Sequence, residues 1–298
     1  MYKNILVTGG NGFIGSHVVE NLLNKGHVPI IFDRKGPTAQ VKGVSYFWGD
    51  IINKNSVDEA VLNSDGVIDL AGILGTSETV DNPFPCIETN ILGALNVFEA
   101  CRSHVKPAVQ ISLGNFWMNN PYSISKNTAE RLALMYNKEH GTRIAIVRGL
   151  NAYGEGQKHA PVRKIIPNFI VRALRNTPIE IYGDGSQIMD MIYVKDLAEI
   201  LVRALLVEHK VYDRIFEAGT GLSTDVNYIA KVVIKEAKSG SEIKYLPMRP
   251  GEEKSAVVLG NPVTLKPLGD IKLRGLDETL SGVISWYKNN YPWREIRF

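Results

Sequence analysis

The 298-residue sequence is poor in cysteine and histidine, with two and six respectively, and carries no excess of charge of one sign. Cys86 and Cys101 show neither metal-ligand nor redox spacing, so no metal site and no disulfide framework are expected, only free buried thiols. The net charge of +3 is too small to argue for nucleic acid or an acidic membrane surface as partner. No apolar run approaches the ~20 residues that a membrane span needs. The first residues lead straight through Ile5-Leu6-Val7 into a glycine-rich turn, without the longer apolar region and small-residue cleavage site of a signal peptide. A cytoplasmic location is the expectation. Internal repeats and low-complexity tracts are lacking too.

What is present is a chain of ordinary globular composition, with 44% hydrophobic and 22% charged residues. Short apolar runs predict strands over 4–8, 28–33, 44–48, 66–70, 108–112 and 143–148. Helical patterns over 14–25, 56–62, 87–103 and 122–140 separate them. Such alternation predicts an α/β fold, a doubly wound parallel sheet of Rossmann type with helices on both faces. From Gly154 onward, prolines and glycines punctuate shorter elements. The expected division is therefore a nucleotide-binding domain over 1–153, with a returning segment near 188–212, and a smaller α/β substrate lobe within 154–298.

The strongest local signal is "NILVTGGNGFIGSHVVENLLNKG". A buried strand runs into Gly9-x-x-Gly12-x-x-Gly15, and Phe13 and Ile14 open a helix. Gly9 allows a tight turn, Gly12 lets backbone approach a pyrophosphate, and Gly15 lets helix and strand pack closely. Asp33 ends the next strand 18 residues after Gly15. A carboxylate there accepts hydrogen bonds from ribose hydroxyls and repels a 2′-phosphate, which favours NAD. Arg34 beside it keeps NADP open.

Glycines spaced by three, in "TGGNGFIG", resemble the short-chain dehydrogenase/reductase superfamily, in its extended branch of nucleotide-sugar epimerases and dehydratases. Gly49-Asp50-Ile51 resembles that family's adenine-contacting segment. Leu70-Ala71-Gly72 resembles the stretch after its fourth strand, with Asp69 where His is common. Asn90-x-x-Gly93-x-x-Asn96-Val97 resembles its following helix. The likeness implies cofactor contacts at Asp50, Ile51, Leu70, Ala71, Gly72 and Asn90. It also implies a homodimer paired through the 87–103 and 122–140 helices.

Tyr122 and Lys126 lie four apart on a predicted helix and so share a face. An ammonium near a phenol stabilises phenolate, which can take a hydroxyl proton while hydride leaves the same carbon. The family's catalytic Ser or Thr is less clear. Its position falls on Leu113, and Ser112, one place early, is the candidate in its stead. Gly114 and Asn115 stand where the family's 4,6-dehydratases carry Asp-Glu, and neither can do acid–base work. Resemblance further places Asn151 and Arg249 on a nucleotide-diphosphate sugar, while Met189 replaces an arginine that clamps phosphate in relatives. The expected activity is NAD-dependent epimerisation at sugar carbon 4 through a keto intermediate. A dehydratase or ketoreductase of the same family, or a non-catalytic NAD-binding regulator, are the alternatives.

Overall fold

The computed structural model describes residues 3–36, 40–208 and 212–296. The first part of the chain runs β1 (Asn4–Thr8), α1 (Phe13–Asn24), β2 (Val28–Asp33), β3 (Ser45–Trp48), α2 (Lys54–Leu62) and β4 (Gly66–Asp69). It continues with α3 (Phe84–Ile87), a wide π turn at Glu88–Leu92, α4 (Gly93–Ser103), β5 (Ala108–Leu113), α5 (Pro121–His140) and β6 (Ile144–Gly149). Then come β7 (Asn151–Tyr153), α6 (Ile165–Leu174), β8 (Ile179–Tyr182), β9 (Ile188–Met189), β10 (Met191–Tyr193), α7 (Val194–Leu206) and β11 (Ile215–Ala218). The remainder is β12 (Thr224–Asp225), α8 (Val226–Ala237), β13 (Ile243–Leu246), β14 (Val257–Val258), a 3-10 turn at Pro262–Leu268 and α9 (Leu276–Asn290).

Seven strands form one sheet in the order β11-β6-β5-β4-β1-β2-β3, every pair parallel. The expected doubly wound α/β fold is the fold observed. Both faces are covered, so the strands read as near-continuous apolar runs rather than as alternation. Alternation still decides which layer each side chain enters: Ile5 and Val7 pack towards α1 and α7, whereas Leu6 packs towards α2, α4 and α5. A separate core holds α6, α8 and α9 against β8 and β10, with Ile170, Val226, Leu280 and Tyr287 fully or nearly buried. The chain rejoins the main layer through α7 and β11, which share the first core with Leu265 and Leu268. Residues 209–211 of the returning segment lie outside the described residues.

One helix differs from expectation. In place of a regular helix over 87–103, helical structure starts at Phe84 and opens into the π turn before α4. The wider turn admits an extra residue, and Asn90 within it is turned into the interior. Among the described residues no helix is long and apolar enough to cross a membrane.

Candidate active site

The strand order reverses between β1 and β4, so their carboxyl ends open a crevice, the usual ligand position in such sheets. At that point Gly9 adopts φ +65° and donates its N–H to Phe32 O at 2.8 Å. A Cβ on Gly9 would lie 3.2 Å from the Ala71 backbone, so the two loops touch main chain to main chain. Gly12 caps α1 in extended conformation without a side-chain cap, and the first helical bond runs from Ser16 N–H to Gly12 O. The N–H groups of Phe13, Ile14 and Gly15 consequently lack intrahelical acceptors, at the positive end of the helix dipole. A Cβ on Gly15 would strike Gly9 O and, at 2.8 Å, Gly10 Cα, so helix and turn leave no room for a side chain.

Asp33 lies against this turn. Its carboxylate accepts from the Asn11 and Lys35 N–H groups, each at 3.2 Å, and Asn11 Nδ2 donates to Lys35 O at 2.7 Å. Arg34 is drawn to Asp50 at 3.6 Å. Asp50 also accepts from Ile52 N–H at 3.2 Å. Ile51 is buried, its carbonyl accepts from Asn96 Nδ2 at 3.0 Å, and a Cβ on Gly93 would come within 2.7 Å of its side chain. The Gly93 and Asn96 positions of the helix motif thus anchor the Asp50-Ile51 loop.

On the other wall, Thr8 organises the loop after β4. Its hydroxyl donates to Asp69 and accepts from Leu70 and Ala71 N–H, both at 3.0 Å. Gly72 passes so near Asn90 that an added Cβ would be 2.9 Å from Oδ1. Asn90 Oδ1 accepts from Ile73 N–H at 2.8 Å, while Nδ2 donates to Ile73 O and Ser125 Oγ, each at 2.9 Å. Ser125 Oγ in turn donates to Tyr122 O at 3.0 Å. The cofactor-side loop and α5 are thereby tied through one amide. Cys86 packs into the same network, with its sulfur 3.6 Å from Ser125 Oγ and 3.3 Å from Asn90 Nδ2.

Asn120 caps α5 by accepting from Ser123 N–H at 2.9 Å, and Pro121 occupies the first helical position. Tyr122 and Lys126 follow one turn apart on α5. Burial, with Cys86 adding to it, pushes the Tyr122 phenol up to about 12. Desolvation of the phenolate sets this direction. Burial also pulls the Lys126 ammonium down, opposed by Asp69 and Cys86.

Ser112 is 4% exposed, and its hydroxyl has no hydrogen-bond partner among the described residues. Strand alternation puts it with Ala108 and Gln110 on the side covered by α4 and α5, whereas Val109 and Ile111 face the opposite core. Leu113 alternates away from α5. At Gly114 a Cβ would lie 2.9 Å from both Leu150 and Val258, so an acid side chain has no room there.

Asn151 begins β7 and donates Nδ2 to Asp190 O at 3.2 Å. Met189 is half-buried in β9 against the second core. Arg249 is engaged on several sides: it clasps Glu252 in bidentate fashion, lies 3.4 Å from Glu78 and has its guanidinium 5.0 Å from the Tyr182 ring centre. Thr76 Oγ1 donates to Glu252 at 3.1 Å and Asn120 Nδ2 to Gly251 O at 3.2 Å, so this loop closes onto the start of α5. A separate cavity of about 430 Å³ on the flank of α5, lined by Phe116, Glu130 and Arg148 among others, includes neither Tyr122 nor Lys126.

The donor set at the glycine turn fits the pyrophosphate of a dinucleotide: N–H groups without intrahelical acceptors begin α1 beside a turn where a side chain would not fit. The Asp33 carboxylate at the end of β2 would repel a 2′-phosphate, and Arg34 beside it pairs with Asp50 at 3.6 Å. Sequence reasoning missed Thr8, Asp69, Cys86, Ser125 and Glu252. Only Asp69 left a signal, as a departure from the family's pattern.

Residues 5–219 match the model of the NAD dependent epimerase/dehydratase family. The chain is 32% identical to a putative UDP-glucose 4-epimerase of Methanocaldococcus jannaschii, covering 96% of this chain and 99% of that one. It is 31% identical to the UDP-N-acetyl-alpha-D-glucosaminuronate decarboxylase of Bacillus cytotoxicus over 83% of this chain and 84% of the relative. Among solved structures, the UDP-glucose 4-epimerase of Thermus thermophilus in complex with NAD superposes with a TM-score of 0.86 at 28% identity, covering 96% of this chain and 99% of that one. With the glycine turn, the crevice and the Tyr122–Lys126 helix in place, the chain belongs to the NAD-dependent epimerase/dehydratase family, in the extended short-chain dehydrogenase/reductase branch.

Proposed function

We propose that this protein is an NAD-dependent epimerase of a nucleotide-diphosphate sugar, inverting sugar carbon 4 through a transient 4-keto sugar. The observation that carries the reading is the Asn90 amide, which bonds both Ile73 and Ser125 and so ties the loop after β4 to the turn of α5 that carries Tyr122 and Lys126. Similarity to UDP-glucose 4-epimerases over nearly the whole chain supports the reaction type. Gly9, Gly12, Phe13, Ile14 and Gly15 would hold the pyrophosphate, and Asp33, Asp50, Ile51 and the Leu70-Ala71-Gly72 loop the adenosine and nicotinamide halves. When bound, NAD supplies a hydride acceptor and donor. Tyr122 takes the proton from the 4-hydroxyl and later returns it. Lys126 contributes the positive charge that a buried phenol held near 12 requires to ionise. Ser112, whose hydroxyl is unpaired on the α5 side, is the candidate to relay the proton.

The diphosphate is assigned to Asn151 and Arg249 in the lobe within 154–298. Arg249 already carries two carboxylates, so phosphate shares or displaces Glu252 there. The dehydratase alternative fares worse, since an acid at position 114 would collide with Leu150 and Val258. Phe84, at 79% exposed, with Leu92, Ile124 and Met135 gives the α3–α4 and α5 surface an apolar face. Such a face suits pairing with a second copy as a cytoplasmic homodimer.

The test is incubation with UDP-glucose, UDP-N-acetylglucosamine and their uronate forms, followed by NMR. An inverted carbon 4 in one of them is expected; lost water or carbon dioxide, or no turnover of any, would refute the reading.

A further inference from the structure

The chain leaves the carboxyl end of β4 and turns at 76–80, and the 249–252 loop of the lobe folds onto that turn. The two segments meet at main chain: a Cβ on Gly251, at φ +75°, would lie 2.7 Å from Thr76 O. Gly75, at φ +128°, bends so tightly that an added Cβ would come within 2.8 Å of Glu78 Oε2. Thr79 Oγ1 closes the bend by donating to Gly75 O at 2.7 Å. The Glu78 carboxylate is thereby held facing the lobe. Its Oε1 accepts there from Arg163 N–H at 3.0 Å and from Arg249 Nη1 at 3.4 Å, partners 85 and 171 residues away in sequence. Both side chains of the Glu78–Arg249 pair are partly buried, 26% and 18% exposed, which shields the pair from solvent.

Glu252 grips the same guanidinium through Nε and Nη2, but it stands three residues from Arg249 and moves with it. All three nitrogens of the fork thus face a carboxylate, and a phosphate obtains a two-point grip by replacing one of them. Glu78 is the carboxylate that departs when the 76–80 turn and the lobe separate. We propose that Glu78 is a latch on the substrate mouth: its carboxylate holds the turn on the lobe and yields Arg249 to the diphosphate of an entering nucleotide. The proposal rests on the assignment of Arg249 to diphosphate given above. The closed arrangement occupies the anchor, so the apparent affinity for nucleotide falls with the fraction of protein in which the latch is shut. Release is selective for phosphates, because a neutral sugar offers the guanidinium no charge in return.

The probe is UDP, titrated calorimetrically into the NAD-loaded protein. Glu78→Ala should bind UDP about fivefold tighter or more, the scale of one partly exposed ion pair. Asp81→Ala removes the same charge from an exposed neighbouring position and should leave the affinity unaltered. Binding no tighter in Glu78→Ala, or equal tightening in Asp81→Ala, would overturn the proposal. A second readout needs no ligand: amide exchange over 76–80 and 249–252, read by mass spectrometry, should quicken in Glu78→Ala by a similar factor. Unchanged exchange overturns the latch. Should Glu78→Ala fail to fold, the near-isosteric Glu78→Gln, which removes the charge alone, is read in the same two ways. Absence of UDP binding in every form would refute the nucleotide-sugar reading, and the exchange result then decides the latch by itself.

Discussion

On the cofactor side, phosphate recognition is assigned to backbone: a turn of glycines, three unpaired N–H groups at the start of α1, and loops in main-chain contact at Gly9 and Ala71. On the other side, the proposed phosphate cation Arg249 is held by side chains from distant segments, with Glu252, Glu78, Thr76 and Asn120 converging from three parts of the chain. The first arrangement tolerates almost no substitution, because a Cβ collides with main chain. The second can change one residue at a time, as Met189 in place of the family's phosphate-clamping arginine illustrates. On the proposed reading, cofactor use is held by backbone geometry, while substrate choice is left to exchangeable side chains.

The comparison can be broken or sharpened by substitution. The largest effect is expected at Tyr122, which joins the two sides. Tyr122→Phe should slow epimerisation by about 10²–10⁴-fold, the usual contribution of a proton-transferring group, with NAD content unchanged. Turnover at the native rate would detach α5 from the chemistry. Next is Gly114→Asp, which restores a dehydratase-like acid where Leu150 and Val258 leave no space. It should cost about 1–3 kcal/mol of stability, seen as a lowered urea midpoint. A variant as stable as the native protein would mean that the strand end yields easily.

Arg249→Ala should weaken UDP-sugar binding by about 1.5–3 kcal/mol, with little change in kcat, if its fork is turned to phosphate. An unaltered KM would leave Arg249 as a partner of Glu252 and Glu78 only. The smallest effect is expected at Ser112: Ser112→Ala should reduce kcat by about 10²-fold, at the lower edge of proton-transfer contributions. An unchanged rate would remove Ser112 from the mechanism.

The same contrast explains how much was legible in the sequence. The glycine turn, the order of strands and helices in the first half, and the Tyr122–Lys126 spacing are local patterns, and each of the six expected strands lies within two residues of its place. What sequence did not give is long-range. Thr8 and Asp69 meet through strand pairing sixty-one residues apart. The π turn that carries Asn90 inward has no signature in apolar periodicity. Cys86 was expected as an inert buried thiol; it is buried and free, yet it lies in the network under Tyr122. Arg249 was legible as a cation but not as one already clasped by Glu252, since that pairing depends on how the 249–252 loop folds back.

The most direct test of the account follows the hydrogen at sugar carbon 4. UDP-glucose labelled there with deuterium is incubated with the holoprotein in ordinary water, and the product is read by NMR. The account predicts an inverted carbon 4 that keeps its deuterium, because hydride leaves and returns within one closed site. Inversion with the label washed out to solvent would contradict it.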